Sequence, residues 1–308
     1  MKNITIIGSG SFGCALAHVF SKNNNVKIWS YTKEEKESIN NNHECLYVKD
    51  IKLSNNVVCY DSIEESLIDS DIVVLVVPSN SIRNMCIEIK KYYKNQQIVL
   101  ASKGLENEKL LSEVVQEELN VDPSVIIGPT FAKDVGTDKK SYIELSGNKD
   151  LIDILIDDNF IINYNEDKIG LEVAGALKNV ITILYSFVET LDYGMNYNSY
   201  CFIEGLNEIK KIGISLGAKE NTFYSLGTLG DLFGTIKSKQ SRNNQAGELL
   251  AKGKTLDEIK KEVGTTIEGL DTLKSVINII EDKKLDCPLI TKLYNIIYNN
   301  ESKESIIE

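Results

Sequence analysis

The first thirteen residues combine a short strand with a glycine-rich turn, and this combination restricts the fold more than any other feature. The apolar residues 4–7 run directly into Gly8-Ser9-Gly10-Ser11-Phe12-Gly13, which fits G-x-G-x-x-G and opens a helical pattern. In such a turn, Gly8 permits the tight bend, Gly10 lets a pyrophosphate approach the backbone, and Gly13 allows close helix–strand packing. The helix N-terminus adds free N–H groups and the positive end of its dipole. The turn therefore predicts a dinucleotide site, with a plain β–α turn as the alternative.

Short β-branched runs alternate with helical patterns through the first half of the chain. Because strands of a parallel sheet are buried on both faces, this alternation predicts a mostly parallel sheet with helices on each side. Helical patterns fill several of the intervals, as at residues 12–22 and 81–92, and residues 142–145 are expected to add an edge strand. The predicted strands are residues 5–7, 26–29, 57–60, 72–76, 98–101 and 125–127.

The character of the sequence changes near residue 166. Beyond it, apolar residues recur at helical spacing, and glycines and turn residues interrupt the pattern. The domain boundary is therefore expected within residues 159–166. We expect an α/β domain over residues 1–165 and an all-helical domain over residues 166–308, since 308 residues are long for a single core.

Composition argues against several classes of function. Lys and Arg total 34 and Asp and Glu total 45, and the resulting net charge of −11 would repel nucleic acid and anionic membranes. The strongest apolar run, residues 72–77, is too short to span a bilayer. With only His18 and His43, and six scattered cysteines, the chain offers no His-based triad and no evident metal site. Reduced thiols are expected, and proton transfer must use another group.

The residue that contacts the cofactor ribose is expected about 20 positions after the glycine turn. There the chain reads Trp29-Ser30-Tyr31-Thr32-Lys33, with no carboxylate at the strand tip and with Glu34 and Glu35 following. The missing acid removes the usual obstacle to a 2′-phosphate, and Lys33 could pair with one. Lys33 is equally well explained as a solvated turn residue, so the choice between NAD and NADP stays open.

Polar segments follow three further strands, at the sheet edge where open α/β folds bind ligands. They are Val77-Pro78-Ser79, Ala101-Ser102-Lys103-Gly104 and Gly128-Pro129-Thr130-Phe131-Ala132. Lys103, flanked by Ser and Gly, is well placed to meet a phosphate, although an ordinary surface lysine is the alternative. The third segment offers backbone N–H groups and a hydroxyl, or is only a turn.

In the helical half, Lys178 lies in Gly175-Ala176-Leu177-Lys178-Asn179, within an otherwise apolar helical pattern. It is either a surface lysine or a desolvated functional amine. Desolvation and neighbouring cations lower the pKa of a lysine, as a general base near neutral pH requires.

Further polar residues follow in the same half. Asp231 and Thr235 are four positions apart and would share one helix face. Arg242 carries the planar group that suits phosphate oxygens. Glu268 is either functional or a helix N-terminal carboxylate.

Ten segments, in order along the chain, resemble the bacterial-type NAD(P)-dependent glycerol-3-phosphate dehydrogenases. GALKN, and GDL followed by SRN, are the most specific of them, and the full set is GSGSFGCALA, VPS, SKG, GPTFAKD, GALKNVI, YGMN, LGTLGDLFGT, SRNNQAG, IEG and CPL. The resemblance implies a Rossmann-like NAD(P)-binding domain followed by a helical substrate domain. It implies reversible hydride transfer between NAD(P)H and dihydroxyacetone phosphate, giving sn-glycerol 3-phosphate for phospholipid synthesis. It further implies a cytoplasmic homodimer with a small phosphorylated substrate and no stable membrane insertion.

The resemblance also implies roles for individual residues. Lys178 corresponds to the proton acceptor or donor, and Lys103 to a lysine shared by cofactor and substrate. Asp231 and Asn179 correspond to residues that position the lysine and the substrate. The remaining substrate contacts are Thr235, Ser241, Arg242, Asn243, Gly128 and Thr130. The cofactor contacts are Gly8, Gly10, Ser11, Phe12, Gly13, Tyr31, Pro78, Lys103, Ala132, Arg242, Thr266 and Glu268.

The chain also departs from the family pattern. Glu204 stands where the family has the arginine of Thr-Arg-Gly, Asn244 replaces a further arginine after Ser-Arg-Asn, and residues 187–192 lack the usual glycines. Every residue assigned to proton transfer is in place. Two alternatives stay open: another two-domain dehydrogenase acting on a hydroxy acid or hydroxyacyl substrate, which does not explain SRN after GDL, and a non-catalytic dinucleotide sensor.

Overall fold

The computed structural model describes residues 1–239, 241–264 and 266–307. The chain divides into two compact units: Met1–Lys103 with Leu111–Lys168, and Gly104–Leu110 with Ile169–Glu308. Nothing in the sequence pattern indicates that residues 104–110 belong with the second unit. The functional domains predicted from the sequence, residues 1–165 and 166–308, stay a prediction.

The first unit is built on one large sheet, and the second contains a two-stranded hairpin. Over the described residues the strands are β1 (Asn3–Ile7), β2 (Asn25–Trp29), β3 (Val58–Tyr60), β4 (Ile72–Leu75), β5 (Gln97–Leu100), β6 (Leu105–Glu106), β7 (Lys109–Leu110), β8 (Ser124–Ile127), β9 (Ser141–Ser146) and β10 (Phe160–Tyr164). The hairpin pairs β6 with β7.

The order of strands in the large sheet is β10-β9-β8-β5-β4-β1-β2-β3. Its neighbours run parallel except for β8 and β9, which confirms the predicted mostly parallel sheet. Because β1 lies between β2 and β4, the chain changes sides of the sheet at β1. Open α/β sheets bind ligands at the carboxyl ends of the strands at such a switch point.

The prediction that residues 142–145 form the edge strand of the sheet is wrong. Residues 142–145 do form a strand, within β9, but β10 pairs outside it in parallel, with Ile161 opposite Tyr142. In β10 only Phe160 and Ile162 are buried. The segment reads FIINY between Asp157-Asp158-Asn159 and Asn165, and the sequence pattern predicted a domain boundary here and no strand.

Helices surround the sheet and make up most of the second unit. Over the described residues they are α1 (Ser11–Phe20), α2 (Lys33–Asn42), α3 (Ile63–Leu67), α4 (Ile82–Lys90), α5 (Leu111–Leu119), α6 (Ala132–Val135), α7 (Leu151–Leu155), α8 (Lys168–Leu191), α9 (Met195–Ser215), α10 (Asp231–Lys237), α11 (Arg242–Ala251), α12 (Leu256–Val263), α13 (Glu268–Lys283) and α14 (Pro288–Tyr298). Short 3₁₀ turns occur at Ser79–Ser81, Glu220–Tyr224 and Lys303–Ile307, and a π-helical turn occurs at Leu226–Gly230.

Helix α8 is the core of the second unit. It is long and apolar enough to cross a bilayer, but its apolar window is 100% buried inside the structure, as in the core helix of a globular protein. Two glycines bring neighbouring helices against its backbone. A Cβ atom on Gly247 of α11 would lie 2.3 Å from the Ile183 oxygen, and one on Gly269 of α13 would lie 2.7 Å from the Asn179 oxygen. Both helices therefore pack on the part of α8 that contains Asn179 and Ile183.

Candidate functional site

The glycine turn after β1 has the shape that a pyrophosphate requires. Gly8 has φ of +122°, and a Cβ there would lie 2.6 Å from the Val76 oxygen, so only glycine fits. A Cβ on Gly10 would meet no atom within 4 Å, so the protein leaves space beside it. Gly10 begins α1 without a side-chain cap, and the first-turn N–H groups are therefore available to an anion. The turn fits the pyrophosphate of a dinucleotide, and Ser11, Phe12 and Gly13 form the first turn of the helix that would bind it.

A buried carboxylate lies at the tip of β2, where the sequence suggested that none was present. Glu35 is 7% exposed and its Oε2 accepts hydrogen bonds from the Ser9, Ser30 and Thr32 hydroxyls at 2.8, 2.9 and 3.0 Å. The Tyr47 hydroxyl donates to Oε1 at 2.7 Å. Thr32-x-x-Glu35 matches the pattern of a capping box, which would have indicated that this glutamate folds back towards its helix N-terminus.

The other predicted contacts of the first unit lie on loops that follow strands. Tyr31 is 86% exposed beyond β2, and Pro78 is exposed after β4. Ala132 is the first residue of α6. Exposure of Tyr31 and Pro78 leaves both side chains accessible to a ligand.

Lys103 follows β5 and points to the loop after β8. Its Nζ donates to the Gly128 oxygen at 3.2 Å, and the Thr130 backbone N–H donates to the same oxygen at 2.8 Å. The Ser102 hydroxyl, which donates to the Val77 oxygen at 2.5 Å, ties this loop to the end of β4. The structure thus brings together Lys103, Gly128 and Thr130, three residues that the family resemblance names as ligand contacts.

In the second unit, Lys178 forms a buried cluster with Asp231 and Thr235. Lys178 is 8% exposed, and its Nζ lies 2.6 Å from Asp231 Oδ1 and 2.9 Å from Thr235 Oγ1. The Thr235 hydroxyl donates in turn to the Asp231 backbone oxygen at 2.7 Å. Lys178 is therefore a buried amine and not a surface lysine. Because the Thr235 proton is used within the protein, this hydroxyl orients the lysine.

Local structure explains why these three side chains meet. Asp231 begins α10, and Thr235 lies one turn later on the same face, as the spacing predicts. The π-helical turn at Leu226–Gly230 directly precedes Asp231. Such turns are rare and often occur at functional sites.

Residues next to the cluster are fixed by hydrogen bonds to the start of α13. Asn179 Nδ2 donates to Glu268 Oε2 at 3.0 Å, and the Gly269 N–H donates to Asn243 Oδ1 at 3.0 Å. Glu268 therefore contacts Asn179 besides starting a helix. Because the Asn243 oxygen is used by Gly269, its Nδ2 is the group that can donate to a ligand. Thr266, two residues before Glu268, is half-buried.

The start of α11 combines an exposed cation with a helix N-terminus. Ser241 caps this helix by accepting the Asn244 N–H, and Arg242 is exposed with no ion-pair partner among the described residues. Asn244 is instead a structural residue: its Nδ2 donates to the Ile236 oxygen at 2.7 Å, and it accepts the Ser186 hydroxyl. Arg242 and the helix N-terminus are suited to a phosphate.

The part of the chain that the structure describes offers no metal site. No group of three or more His, Cys, Asp and Glu side chains there could hold an ion. All six cysteines are free and buried. The buried amine of Lys178 is suited to proton transfer, and the glycine turn and the start of α11 are suited to anion binding.

Comparisons with known proteins identify the family of the chain. Models of the N- and C-terminal parts of NAD-dependent glycerol-3-phosphate dehydrogenase match residues 3–150 and 167–308. A glycerol-3-phosphate dehydrogenase (NAD(P)+) of Oceanobacillus iheyensis is 33% identical over 320 residues, which cover 100% of this chain and 93% of the relative. The corresponding protein of Fusobacterium nucleatum is 35% identical over 98% of this chain and 94% of its own.

A solved structure shows the same architecture. The crystal structure of glycerol-3-phosphate dehydrogenase from Coxiella burnetii has a TM-score of 0.93 at 28% identity and covers 99% of this chain and 97% of its own. The similarity therefore extends over both units. The chain belongs to the NAD(P)-dependent glycerol-3-phosphate dehydrogenase family.

Proposed function

We propose that this enzyme interconverts sn-glycerol 3-phosphate and dihydroxyacetone phosphate, with Lys178 as the group that moves the proton. The observation that carries the assignment of Lys178 is its burial between Asp231 and Thr235, at 2.6 and 2.9 Å. A buried lysine is costly unless it is paired, so a lysine kept here, away from solvent, is a candidate for chemistry.

The chemistry divides between cofactor and protein. When bound, the nicotinamide of NAD or NADP supplies or accepts the hydride. In the direction of reduction, the Lys178 ammonium protonates the C2 oxygen of the substrate as it becomes an alkoxide. In the direction of oxidation, neutral Lys178 removes the proton of the C2 hydroxyl. Asp231 and Thr235 hold Nζ in one place in both directions.

The substrate phosphate is assigned to the start of α11. Arg242 offers a guanidinium without an ion-pair partner among the described residues, and Ser241 and Asn243 flank it. Asn179 is assigned to substrate positioning, because Glu268 fixes its amide. On the first unit, Lys103 is assigned to cofactor and substrate, with Gly128 and Thr130 as substrate contacts.

The cofactor is assigned to the glycine turn and to the loops after β2, β4, β5 and β8, and the family resemblance adds Arg242, Thr266 and Glu268 of the second unit. The open space beside Gly10 and the uncapped start of α1 support this assignment. The assigned residues are Gly8, Gly10, Ser11, Phe12, Gly13, Tyr31, Pro78, Lys103, Ala132, Arg242, Thr266 and Glu268. Residues 1–165 then form the cofactor domain, and residues 166–308 form the substrate domain.

The family also supports three proposals about context: a homodimer, a cytoplasmic location, and supply of glycerol 3-phosphate for phospholipid synthesis. The homodimer is tested by sedimentation of the purified protein. A monomer at micromolar concentration would contradict it.

The assignment of Lys178 is tested by comparing Lys178→Ala with Lys178→Arg. We expect the turnover of dihydroxyacetone phosphate to fall by about 10²- to 10⁴-fold in both variants, because arginine keeps the charge but does not exchange a proton near neutral pH. NADH affinity, measured by fluorescence, should change little. Lys210→Met is the matched control, since Lys210 pairs with Glu220 outside the cluster at 3.1 Å.

Near wild-type turnover in Lys178→Ala would contradict the assignment. The two alternatives are tested with the wild-type enzyme. Faster reduction of a 3-keto acid than of dihydroxyacetone phosphate would favour the hydroxy-acid dehydrogenase. NADH binding without oxidation of either reduced nicotinamide would favour the sensor.

A further inference from the structure

The buried carboxylate at the tip of β2 has no role in the reaction described above. Glu35 contacts residues of two segments that a dinucleotide fold places around the adenosine half of its cofactor. Ser9 belongs to the glycine turn, and Ser30 and Thr32 directly follow β2. In such folds the tip of the second strand contacts the adenosine ribose, and charge there selects between a free 2′-hydroxyl and a 2′-phosphate.

We propose that Glu35 makes this enzyme select NAD(H) over NADP(H), by placing a fixed negative charge at the β2 tip where a 2′-phosphate would have to bind. The proposal rests on the proposed function only in assigning the dinucleotide to the glycine turn. Glu35 acts here as a positioning and selectivity residue.

Glu35 is ionised in this setting. Burial raises the pKa of its carboxyl, but the hydrogen bonds from Tyr47, Ser9, Ser30 and Thr32 outweigh burial and leave the pKa below its ordinary value. The four donors are hydroxyls, so they stabilise the negative charge without cancelling it. The charge therefore persists over the neutral pH range.

The Glu35 carboxylate also lies at the N-terminus of α2, a position that favours an anion. Thr32 caps α2, and the start of this helix carries the positive end of a dipole. Glu35 Oε2 lies 3.0 Å from the Thr32 hydroxyl, at that helix start. The dipole that could stabilise a 2′-phosphate is thus already used by a carboxylate of the protein.

The neighbouring lysines do not neutralise the negative charge of Glu35. Lys36 is paired with Asp61 at 2.8 Å, and Lys33 is exposed to screening by solvent. Glu34 is exposed beside Lys33. Two lysines therefore face three carboxylates at this edge, and the only one of the five that is buried is Glu35.

Direct binding tests the proposal without any substrate. We expect wild-type protein to bind NADH at least about tenfold more tightly than NADPH, by isothermal titration. Glu35→Gln keeps the shape and removes the charge, so the ratio of the two dissociation constants should narrow by about tenfold. Glu34→Gln is the matched control, because it removes the same charge from the exposed neighbouring position. It should change the ratio by less than about twofold.

A further variant separates the effect of the Glu35 charge from the effect of the hydrogen bonds that hold it. Tyr47→Phe removes the 2.7 Å hydrogen bond but leaves the carboxylate, so it should lower stability without changing the ratio. If Glu35→Gln does not fold, competition on the wild-type protein replaces it. Adenosine 5′-phosphate should displace NADH at concentrations at least about tenfold lower than adenosine 2′,5′-bisphosphate does.

Two results would overturn the selectivity of Glu35. They are equal or tighter binding of the 2′-phosphorylated ligands by wild-type protein, and an unchanged ratio in folded Glu35→Gln. Failure of the proposed function is a separate outcome. A protein that binds NADH selectively but does not reduce dihydroxyacetone phosphate would contradict the proposed function and still support the selectivity of Glu35.

Discussion

Lys178 and Asp231 form a buried ion pair, with 2.6 Å between Nζ and Oδ1, although 53 residues separate them in the chain. Such a pair stabilises a fold weakly as a whole, but removing one partner leaves the other charge buried and unpaired. The pair therefore couples the position of the Lys178 amine to the integrity of the helical unit.

Replacement of Asp231 should affect both activity and stability. We expect Asp231→Asn to lower the free energy of unfolding by about 3 kcal/mol and the turnover by at least about tenfold, because Lys178 loses its partner and its fixed position. Asp257→Asn, at an exposed position of α12, should change neither. Denaturant titration and initial rates measure the two effects. Wild-type stability and turnover in Asp231→Asn would show that the ion pair is dispensable.

The glycine turn allows folding to be separated from cofactor binding. Gly10→Ala adds a methyl group to open space, so thermal stability should stay close to that of the wild type, while NADH affinity falls by about tenfold or more. Gly13→Ala should destabilise the fold strongly, since its Cβ would lie 2.0 Å from the Gly8 oxygen. Thermal melting and NADH titration distinguish the two variants. Undiminished affinity in Gly10→Ala would place the pyrophosphate elsewhere.

Arg242 should contribute through the phosphate of the substrate. We expect Arg242→Ala to lower kcat/KM for dihydroxyacetone phosphate by about 10²-fold, because a charge-assisted contact to the phosphate is lost. With dihydroxyacetone, which lacks the phosphate, the same variant should be nearly as active as the wild type. Lys252→Ala removes one charge at the opposite end of α11 and serves as the control. An equal loss on both substrates would argue against phosphate binding by Arg242.

Glu208 should make stability depend on pH. Burial raises the pKa of its carboxyl to about 7, and the backbone N–H groups of Ile290 and Leu289, which bind the carboxylate at 2.9 and 2.8 Å, reduce this effect only in part. The native state therefore holds a proton that the unfolded chain releases near pH 4.5. The stabilisation by this proton is complete below pH 4.5 and is lost as the pH rises through 7.

The comparison with Glu208→Gln isolates this effect. Between pH 5 and pH 8 the wild type should lose about 2 kcal/mol of unfolding free energy relative to the variant, measured by denaturant titration at each pH. Parallel curves for the two proteins over this range would disprove the role of Glu208.

The strands and the glycine turn could be read from local patterns. β1, the turn and α1 follow one another within twenty residues, and each pattern depends on neighbours in sequence. Asp231 and Thr235 were likewise predictable as one helix face, because four residues make about one turn. The position of residues 142–145 within the sheet was not predictable, since it depends on the pairing of β9 with β10, and local sequence does not reveal which strands pair.

At the site, Glu35 likewise has a position that the sequence gives and surroundings that only the tertiary structure gives. The sequence places it three residues after a capping threonine, but its four hydroxyl partners come from the glycine turn, the tip of β2, the start of α2 and Tyr47. A carboxylate with those partners is a buried ion, whereas without them it would be an ordinary exposed residue of a helix first turn.

The sequence by itself therefore determined the class of fold and the glycine turn, and it indicated the candidate amine and the candidate phosphate-binding residues, because these follow from spacing and residue type. Only the tertiary structure decided the state of the charged groups. Burial and hydrogen bonding by residues distant in sequence hold Lys178 against Asp231 and keep Glu35 ionised at the tip of β2. Electrostatic behaviour depends on the local surroundings of a charge, and packing, more than sequence order, creates those surroundings.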